Sequence, residues 1–407
     1  MSRRTRTADV LVVGAGPAGL AAAARLAAAG AGRVEILERE QQPGGIPRHC
    51  HHGGFGLRDL RRPMNGPQYV RHLVDAAVRA GADLRTGVTV TGWAGSRTVD
   101  TTSPAGLERI TARAVVLATG ARERPRSARL VPGTRPAGVL TTGELQQAVH
   151  LHGQRVGSRA VVVGAEPVAF SAVGTLRAGG VEVVAMVTDQ ARPPQTLLRG
   201  IPLLTHATVT GLTGRGRLTG VGLRHRDGRT TTVGCDTVVF TGDWIPDHEL
   251  ARRGGITLDP GTRGPAVDAA FRTDESGVFA VGNLLHGGER ADTAAEEGRH
   301  AAGPVLRHLA GEQWPTTTLP VQVEWPLCWA APNIIDPDGP APRHGRFTLR
   351  TSRTLAGPRL VVTQDDQVLH RQRLLRPAVP GGRALQLRAD WISGVDVRGG
   401  PVLIAAY

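Results

Sequence analysis

Three glycines near the start of the chain have the spacing of a dinucleotide-binding loop. Gly14, Gly16 and Gly19 form the pattern GxGxxG directly after the apolar run at residues 10–13. In such a loop the first glycine permits a tight turn, the second lets the backbone approach a pyrophosphate, and the third lets helix and strand pack closely. The helix that follows presents its positively polarised N-terminus to the phosphates. The chemistry expected here is the binding of a dinucleotide.

Glu38 supplies the second part of this pattern. It follows the apolar run at residues 34–37, about twenty residues after the loop, where a carboxylate accepts hydrogen bonds from the ribose hydroxyls of an adenosine. A glycine pattern alone is weak evidence, but here strand, loop, helix (residues 17–29) and acidic residue occur in the required order. We therefore predict a βαβ unit that holds an adenine dinucleotide.

A second segment, from Gly164 to Ala169, has the same outline but a different chemistry. Glu166 replaces the second glycine, which puts bulk and negative charge where the phosphates would come closest. The next predicted strand, residues 181–187, ends without an acidic residue for a ribose or an arginine for a 2′-phosphate, and Asp189 comes slightly later. The sequence predicts a second dinucleotide-type domain that binds NAD(P)H poorly.

A histidine-rich loop after the first βαβ unit holds the candidate catalytic residues Cys50, His51 and His52. A histidine beside a redox cofactor can donate or accept a proton, because its ordinary pKa lies near neutrality. A loop that covers the cofactor or contacts a partner explains these residues equally well. Adjacent histidines on an extended chain point in different directions, so no metal site is expected.

The cysteine content limits the redox chemistry. Cys50, Cys235 and Cys328 lie far apart, which fits a reducing cytoplasm and excludes a CxxC pair. Cys235 and Cys328 are expected to be small buried residues. An iron–sulfur cluster normally needs four cysteine ligands, so any cluster would belong to a partner protein.

The charge does not indicate a nucleic-acid partner. The net charge is +14, but all 49 basic residues are arginine, they are dispersed, and aromatic residues make up only 3% of the chain. Arg3 and Arg4 before the apolar stretch at residues 10–29 resemble an export signal or a membrane span. The glycines in that stretch indicate a nucleotide-binding unit instead, so we expect a cytoplasmic protein without a membrane span.

The chain resembles flavoproteins with two dinucleotide-binding domains, the relatives of thioredoxin and glutathione reductases. Besides the first loop, the resemblance depends on Gly44 and Gly45, on the sequence LATG at residues 117–120, and on GVFAVGN at residues 277–283. It covers residues 8 to about 310 and implies FAD in the first site. The implied FAD contacts are Gly14, Gly16, Pro17, Ala18, Gly19, Glu38, Arg39, Gly44, Gly45, Ala118, Thr119, Gly120, Gly282, Asn283 and Glu297.

One position departs from the family. Asn283 stands where these flavoproteins have an aspartate that binds the ribityl chain, and asparagine carries no charge. Downstream, Thr293 and Glu296 have the spacing of a capping box ahead of a helix through residues 300–302. In the family the positive end of that helix faces the flavin; a capped surface helix is the alternative.

The predicted fold is α/β, with two nested Rossmann-like domains, for FAD and a degenerate NAD(P) site, plus a C-terminal β-rich domain. The predicted boundaries are 1–120 and 242–312 for the FAD domain, 121–241 for the NAD(P)-like domain, and 315–407 for the tail. Further strands are predicted at 114–118, 160–163, 237–241, 278–281, 359–363 and 367–371.

Residues 121–126, 136–144 and 241–247 resemble the FAD subunits of multicomponent amine and amino-acid oxidising enzymes, such as hydrogen cyanide synthase, octopine and nopaline oxidase, and dye-linked proline dehydrogenase. The resemblance implies an amine or amino-acid substrate, a second flavin subunit like D-amino-acid oxidase, and a small iron–sulfur protein. The alternatives are a stand-alone NAD(P)H-dependent reductase or oxidase, and a non-catalytic subunit that holds FAD and a nucleotide.

Overall fold

The computed structural model describes residues 3–190 and 200–407. The helices are α1 Pro17–Ala28, α2 Gly66–Arg79, α3 Thr142–Gln146, α4 Pro167–Ala178, α5 Glu249–Arg253 and α6 Ala291–Leu309. The strands are β1 Arg4–Val13, β2 Val34–Glu38, β3 Asp83–Thr86, β4 Thr89–Gly95, β5 Thr98–Ser103, β6 Gly106–Leu117, β7 Ala121–Glu123, β8 Val139–Thr141, β9 Arg159–Val163, β10 Glu182–Val187, β11 Leu203–Leu204, β12 Ala207–Arg215, β13 Arg217–His225, β14 Thr230–Gly234, β15 Thr237–Phe240, β16 Trp244–Pro246, β17 Val278–Ala280, β18 Leu319–Val323, β19 Leu327–Ala331, β20 Ile334–Ile335, β21 Arg346–Thr351, β22 Leu355–Ala356, β23 Arg359–Gln364, β24 Gln367–Arg373, β25 Ala378–Val379, β26 Ala384–Arg388 and β27 Val402–Ala406.

The chain divides into two compact units. Unit 1 contains Met1–Gly45, Val70–Ala121 and Pro246–Tyr407, and unit 2 contains Ile46–Tyr69 and Arg122–Ile245. Each unit therefore collects segments that are distant in sequence.

The main sheet of unit 1 has the strand order β3-β2-β1-β6-β5-β4, and β17 pairs with β6. β1 runs parallel to β2 and β6, with Val10 opposite Val34 and Ala114, whereas β4, β5 and β6 are antiparallel. Parallel strands covered on both faces are continuously apolar. Accordingly, the neighbouring residues Leu11 and Val12 are both fully buried.

Small residues bring α1 and α6 of unit 1 together. A Cβ atom at Gly298 of α6 would collide with the carbonyl oxygen of Ala18 in α1, and one at Gly19 would collide with the carbonyl oxygen of Gly14. Glycine at these positions permits the close packing of helix on helix and of helix on loop. The first glycine loop is therefore fixed between β1 and two helices.

Unit 2 is built around the parallel sheet β11-β10-β9-β15-β8. It also contains the antiparallel sheet β12-β13-β14, which lies between β11 and β15 in the chain. α4 follows β9 directly, as α1 follows β1. Val162, Leu176 and Met186 are fully buried in the core of this unit. Unit 2 thus repeats the strand–loop–helix arrangement of the first site.

The C-terminal part of unit 1 is rich in strands. It contains the sheets β20-β18-β27-β23-β24 and β19-β21-β26 and the pair β22-β25. Phe347, Leu360 and Leu387 are fully buried in a shared core, and each such side chain contributes about 1.5–3 kcal/mol to stability. The α/β class, the strands predicted in both dinucleotide-binding units and the β-rich tail are confirmed.

The predicted capping box is wrong. α6 begins at Ala291, with Arg290 as its N-cap, so Thr293 and Glu296 both lie inside the helix. The backbone amide of Thr293 donates instead to the side chain of Asp292, and Glu296 pairs with Arg343. An ion pair with a segment far along the chain therefore explains the glutamate.

Candidate cofactor site

The first glycine loop has the geometry that a dinucleotide requires. Gly14 has φ +106°, its amide donates to the carbonyl oxygen of Leu37 at 2.8 Å, and a Cβ atom there would collide with the carbonyl oxygen of Ala118. Gly16 is the N-cap of α1, followed by Pro17 at the first helical position. A Cβ atom at Gly16 would meet nothing within 4 Å, so the space above this residue is open to a phosphate.

Gly44 and Gly45 dock against this loop. The amide of Gly44 donates to the carbonyl oxygen of Ala15 at 2.8 Å. Gly45 has φ +59°, and a Cβ atom there would lie 3.2 Å from the Cα atom of Gly16. A larger residue at position 45 would therefore press on the backbone that faces the phosphates.

Glu38 holds the loop from the end of β2. Its carboxylate is buried and accepts the amide of Ala15 at 3.0 Å and the amide of Glu40 at 2.9 Å. Each carboxylate oxygen has a second lone pair, so the group can still accept a ribose hydroxyl. Arg39 is largely exposed and forms an ion pair with Asp247 at 3.7 Å.

The LATG segment closes the same region from β6. The amide of Ala118 donates to the carbonyl oxygen of Val13 at 2.9 Å, and the hydroxyl of Thr119 donates to the carbonyl oxygen of Asp247 at 2.8 Å. Gly120 has φ +79° and accepts the amide of Asp247 at 2.8 Å. These bonds fix the end of β6 beside the glycine loop.

The GVFAVGN motif at residues 277–283 meets α1 at Gly282. This glycine has φ +73°, and a Cβ atom there would lie 2.6 Å from the side chain of Ala18. Its amide donates to Glu297 at 3.1 Å, so a carboxylate of α6 orients the motif. All fifteen predicted FAD contacts therefore lie in unit 1.

Asn283 uses both ends of its side-chain amide within its own loop. Its Nδ2 donates to the carbonyl oxygen of Glu289 at 3.1 Å, and its Oδ1 accepts the amide of Glu289 at 3.0 Å. An aspartate has no donor for that carbonyl oxygen. The loop therefore gives a physical reason for the asparagine at this position.

His286 is a neighbour that the sequence analysis missed. It is buried, and its Nε2 lies 3.5 Å from the carboxylate of Glu297. Burial alone lowers the pKa of this imidazole, but the charge of Glu297, its hydrogen bond to the imidazole and the charge of Glu289 together outweigh burial, so the pKa is raised. No sequence motif includes this histidine, and its position beside Glu297 becomes visible only in the folded structure.

The glycine loop of unit 2 is filled by its own side chain. Glu166 accepts the amide of Ala165 at 2.9 Å with one carboxylate oxygen and the hydroxyl of Thr241 with the other. A Cβ atom at Gly164 or at Gly242 would lie 2.8 or 2.7 Å from these oxygens. The carboxylate thus occupies the space between the two glycines and takes one of the amides of the loop.

Of the candidate catalytic residues, Cys50 is buried in unit 2. Its Sγ lies 3.3 Å from Oε1 of Gln146 and 3.4 Å from the carbonyl oxygen of Ile46. Burial, with a further contribution from the charge of Glu123, raises the pKa of this thiol to about 12. Cys50 is therefore a protonated thiol at neutral pH.

The neighbouring histidines of unit 2 differ in exposure. His51 and His52 are exposed; His51 stacks on His150 at 4.2 Å between ring centroids, and Nδ1 of His52 lies 2.9 Å from the carbonyl oxygen of Gly53. His49, which the sequence analysis did not single out, is buried, and burial followed by the charge of Arg48 lowers its pKa to about 4. Sequence pattern alone does not separate these neighbours by burial.

Within residues 3–190 and 200–407, no three histidine, cysteine, aspartate or glutamate side chains are grouped so that they could hold a metal ion. No helix in the same residues has the length and apolar character needed to cross a membrane.

Two glycine loops, each between a parallel strand and a helix, define a protein with two dinucleotide-binding folds. The family model described as "Pyridine nucleotide-disulphide oxidoreductase" matches residues 8–298. The chain belongs to this family and is an FAD-dependent oxidoreductase.

Curated relatives are named as subunits of oxidases. An opine oxidase subunit of Agrobacterium tumefaciens (strain Ach5) is 29% identical over 341 residues, which are 74% of this chain and 66% of the relative. The alpha subunit of sarcosine oxidase of Corynebacterium sp. (strain P-1) is 32% identical over 354 residues, which are 77% of this chain and 35% of the relative. The chain thus spans only part of the length of each relative.

Solved structures share the fold. The thioredoxin reductase of T. acidophilum has a TM-score of 0.63 at 24% identity, covering 74% of this chain and 98% of its own. The L-proline dehydrogenase of P. horikoshii has a TM-score of 0.57 at 17% identity, covering 77% of this chain and 58% of its own. At these identities the likeness establishes the two-domain fold alone.

Proposed function

We propose that this chain is the FAD-binding subunit of a multicomponent amine or amino-acid dehydrogenase or oxidase. In this role it passes electrons between its flavin and redox centres on partner subunits. The relatives named as subunits of opine oxidase and sarcosine oxidase support the proposal. A heteromeric assembly is part of it.

The observation that carries the proposal is the position of the Glu166 carboxylate. A free-standing reductase of this fold would take electrons from NAD(P)H bound at the second loop. Here that loop already holds a carboxylate bonded to Ala165 and Thr241. An incoming pyrophosphate would meet both steric overlap and like charge, so the electrons must arrive from another donor.

Unit 1 supplies the cofactor contacts in this proposal. Gly16 admits the phosphates at the N-terminus of α1, Glu38 accepts the ribose hydroxyls, and Glu297 holds the amide of Gly282 in place. FAD, when bound, supplies the capacity to accept two electrons and release them. The remaining predicted contacts complete the cradle, and residues 1–120 and 242–312 form the FAD domain.

The partners follow from the cysteine content and the resemblance. The three cysteines of the chain are too few for a four-cysteine cluster, so the proposal assigns the iron–sulfur centre to a small separate protein. Substrate oxidation is assigned to a second flavin subunit like D-amino-acid oxidase. Because Cys50 is a buried thiol, the exposed His51 and His52 remain the groups proposed to exchange protons.

An anaerobic titration tests the proposal. The purified FAD-loaded chain is titrated with NADH and then NADPH while the visible absorbance of its flavin is followed. The chain is next mixed with its candidate partner flavoprotein, together with an amine or amino-acid substrate. We expect no bleaching with either nicotinamide nucleotide and bleaching in the reconstituted mixture.

Two other results would replace the proposal. Rapid bleaching by NADH or NADPH would identify a stand-alone reductase whose second loop works despite Glu166. Flavin that is reduced in neither experiment, although the partner flavoprotein is reduced by the substrate, would identify a subunit that holds FAD without turnover.

A further inference from the structure

A cavity of about 380 Å³ lies in unit 1 between the segment before β17, the start of α6 and the C-terminal strands. Its apolar walls include Val267, Phe271, Leu285 and Pro332. None of the fifteen predicted FAD contacts except Glu297 lines it, and no step of the proposed function uses it. The cavity therefore shares Glu297 with the predicted FAD contacts and is otherwise lined by different residues.

The buried side of the cavity contains an imidazole with an unused nitrogen. His286 is 4% exposed and stacks on Trp329 at 4.9 Å between ring centroids, and Arg350 lies over the same tryptophan at 5.0 Å. Nε2 of His286 faces Glu297, while Nδ1 has no hydrogen-bond partner among residues 3–190 and 200–407. Buried polar atoms are nearly always paired, so this unpaired nitrogen is an exception in the residue that lines the cavity.

The acidic groups around the cavity are already neutralised. Asp268 accepts Nε of Arg272 at 2.6 Å and two backbone amides, and Glu297 faces His286. The carboxylate of Glu296, beside the rim, pairs with the side chains of Arg343 at 3.1 Å and His344 at 2.9 Å. The negative charges are therefore balanced by neighbours.

One cationic side chain at the rim of the cavity, Arg346, is not balanced by an acidic neighbour. Arg346 is exposed and forms no hydrogen bond or ion pair through its side chain within the described ranges 3–190 and 200–407. Its cross-strand partner in the sheet is a second arginine, Arg388. Arg388 pairs with Asp390 at 3.7 Å, so Arg346 is the cation of this cross-strand pair that is left for an anion.

The strand geometry adds hydrogen-bonding groups next to this cation. Arg346 and Thr348 are two residues apart on β21, so they lie on the same face. Gln386 is the cross-strand partner of Thr348, and its Nε2 donates to the Thr348 hydroxyl at 3.2 Å. The hydroxyl proton of Thr348 and the amide oxygen of Gln386 remain available to a ligand.

We propose that this cavity binds a small organic carboxylate with a short apolar body. The carboxylate pairs with Arg346 and accepts the Thr348 hydroxyl, and the apolar body contacts Phe271 and Leu285. A guanidinium is the preferred partner of a carboxylate, and an apolar wall selects for a carbon chain over an inorganic anion.

Calorimetric titration of the FAD-loaded full chain tests this site at constant ionic strength. The probes are acetate, butyrate and inorganic phosphate. We expect butyrate to bind about tenfold more tightly than acetate, because two more methylene groups enter the apolar wall. Phosphate is expected to bind more weakly than butyrate.

The variants separate the site from general charge effects. Arg346→Gln is expected to weaken the binding of butyrate about fivefold, because one partly exposed ion pair is lost. Thr348→Val, which preserves the shape of the side chain, is expected to weaken it as well. Arg398→Gln, another exposed arginine of the tail, is the matched control and should bind as the parent chain does.

Four results would overturn the proposal. The first is a butyrate titration indistinguishable from one with sodium chloride. The second is equal affinity for butyrate in Arg346→Gln and Arg398→Gln. The third is phosphate that binds as tightly as butyrate. The fourth is binding only to flavin-free protein, which would make the cavity part of the FAD site.

Discussion

The two glycine loops have similar backbone turns, but the first is open to a ligand and the second is filled by a side chain. Gly14 donates to the carbonyl oxygen of Leu37 at 2.8 Å, and Gly164 donates to the carbonyl oxygen of Val187 at the same distance. Each loop also presses against the end of a central strand of its own sheet. The fold therefore supplies the same turn twice, and side chains decide what the turn can hold.

A carboxylate meets the second amide of both loops. In unit 1, Glu38 reaches Ala15 from the end of β2, beside the place of a ribose. In unit 2, Glu166 reaches Ala165 from the adjacent position, so its carboxylate stands in the place of the phosphates. The comparison teaches that the position of the glutamate in the chain decides whether its carboxylate can contact a ligand or occupies the place of one.

Making the first loop like the second should have the largest effect. Gly16→Glu puts a charged side chain into the open space above α1, so FAD affinity should fall on the order of 100-fold or more. The flavin absorbance of the purified protein measures this. Gly174→Glu, on the exposed face of α4, is the control, and equal loss of flavin in both variants would break the comparison.

Opening the second loop should have the next largest effect. Glu166→Gly removes the carboxylate, so NADH binding, measured by quenching of tryptophan fluorescence, should strengthen about tenfold. Glu166→Gln keeps the bulk without the charge and should lie between the two. Glu182→Gln, an exposed glutamate of the same unit, is the control. No gain in Glu166→Gly would mean that the loop is closed by something other than this side chain.

The same change should lower stability. Removing the carboxylate leaves the amide of Ala165 without its partner, at a cost of about 1–3 kcal/mol in the free energy of unfolding, whereas the hydroxyl of Thr241 can still donate to the carbonyl oxygen of Val163 at 3.0 Å. Urea denaturation of the two Glu166 variants measures this. A stability loss confined to Glu166→Gly would show that the side-chain oxygen in Glu166→Gln still accepts the amide of Ala165.

The role of Glu38 sharpens the comparison from the other side. Glu38→Ala should weaken the binding of FAD about tenfold, since it removes the acceptor for the ribose hydroxyls and for the amide of Ala15. Glu38→Gln keeps one acceptor oxygen and should weaken FAD less. Fluorescence titration of the flavin-free protein with FAD gives both affinities. Unchanged affinity in Glu38→Ala would remove this residue from the site.

The smallest effect is expected at Cys50. Because its pKa is raised from 9.0 to about 12, the folded protein holds the thiol proton more tightly than the unfolded chain. This contribution to stability is present below about pH 9 and is lost as the pH rises towards 12. Cys50→Ala should change flavin reduction less than about twofold, and Cys50 should resist alkylation at pH 8. Rapid alkylation of the native protein at that pH would contradict this.

The sequence predicted more of the first site than of its surroundings. The glycine loop, its strand and its helix follow from local spacing, and so does the misplaced charge of Glu166. That the carboxylate folds back onto Thr241 depends on β15, 75 residues away, which no local pattern contains. The failed capping box has the same cause, because Glu296 pairs with Arg343 far along the chain. His286 and its cavity likewise exist only once distant strands are brought together.

Asn283 couples its own loop to the C-terminal strands. Its amide is matched to both backbone groups of Glu289, and the Glu289 side chain is in turn bound by Arg350 of β21 at 2.5 Å. An aspartate at this position would leave the carbonyl oxygen of Glu289 facing a carboxylate. The asparagine therefore links the loop of residues 283–289 to the strand-rich tail, and a change at position 283 would also affect the contact between Glu289 and Arg350.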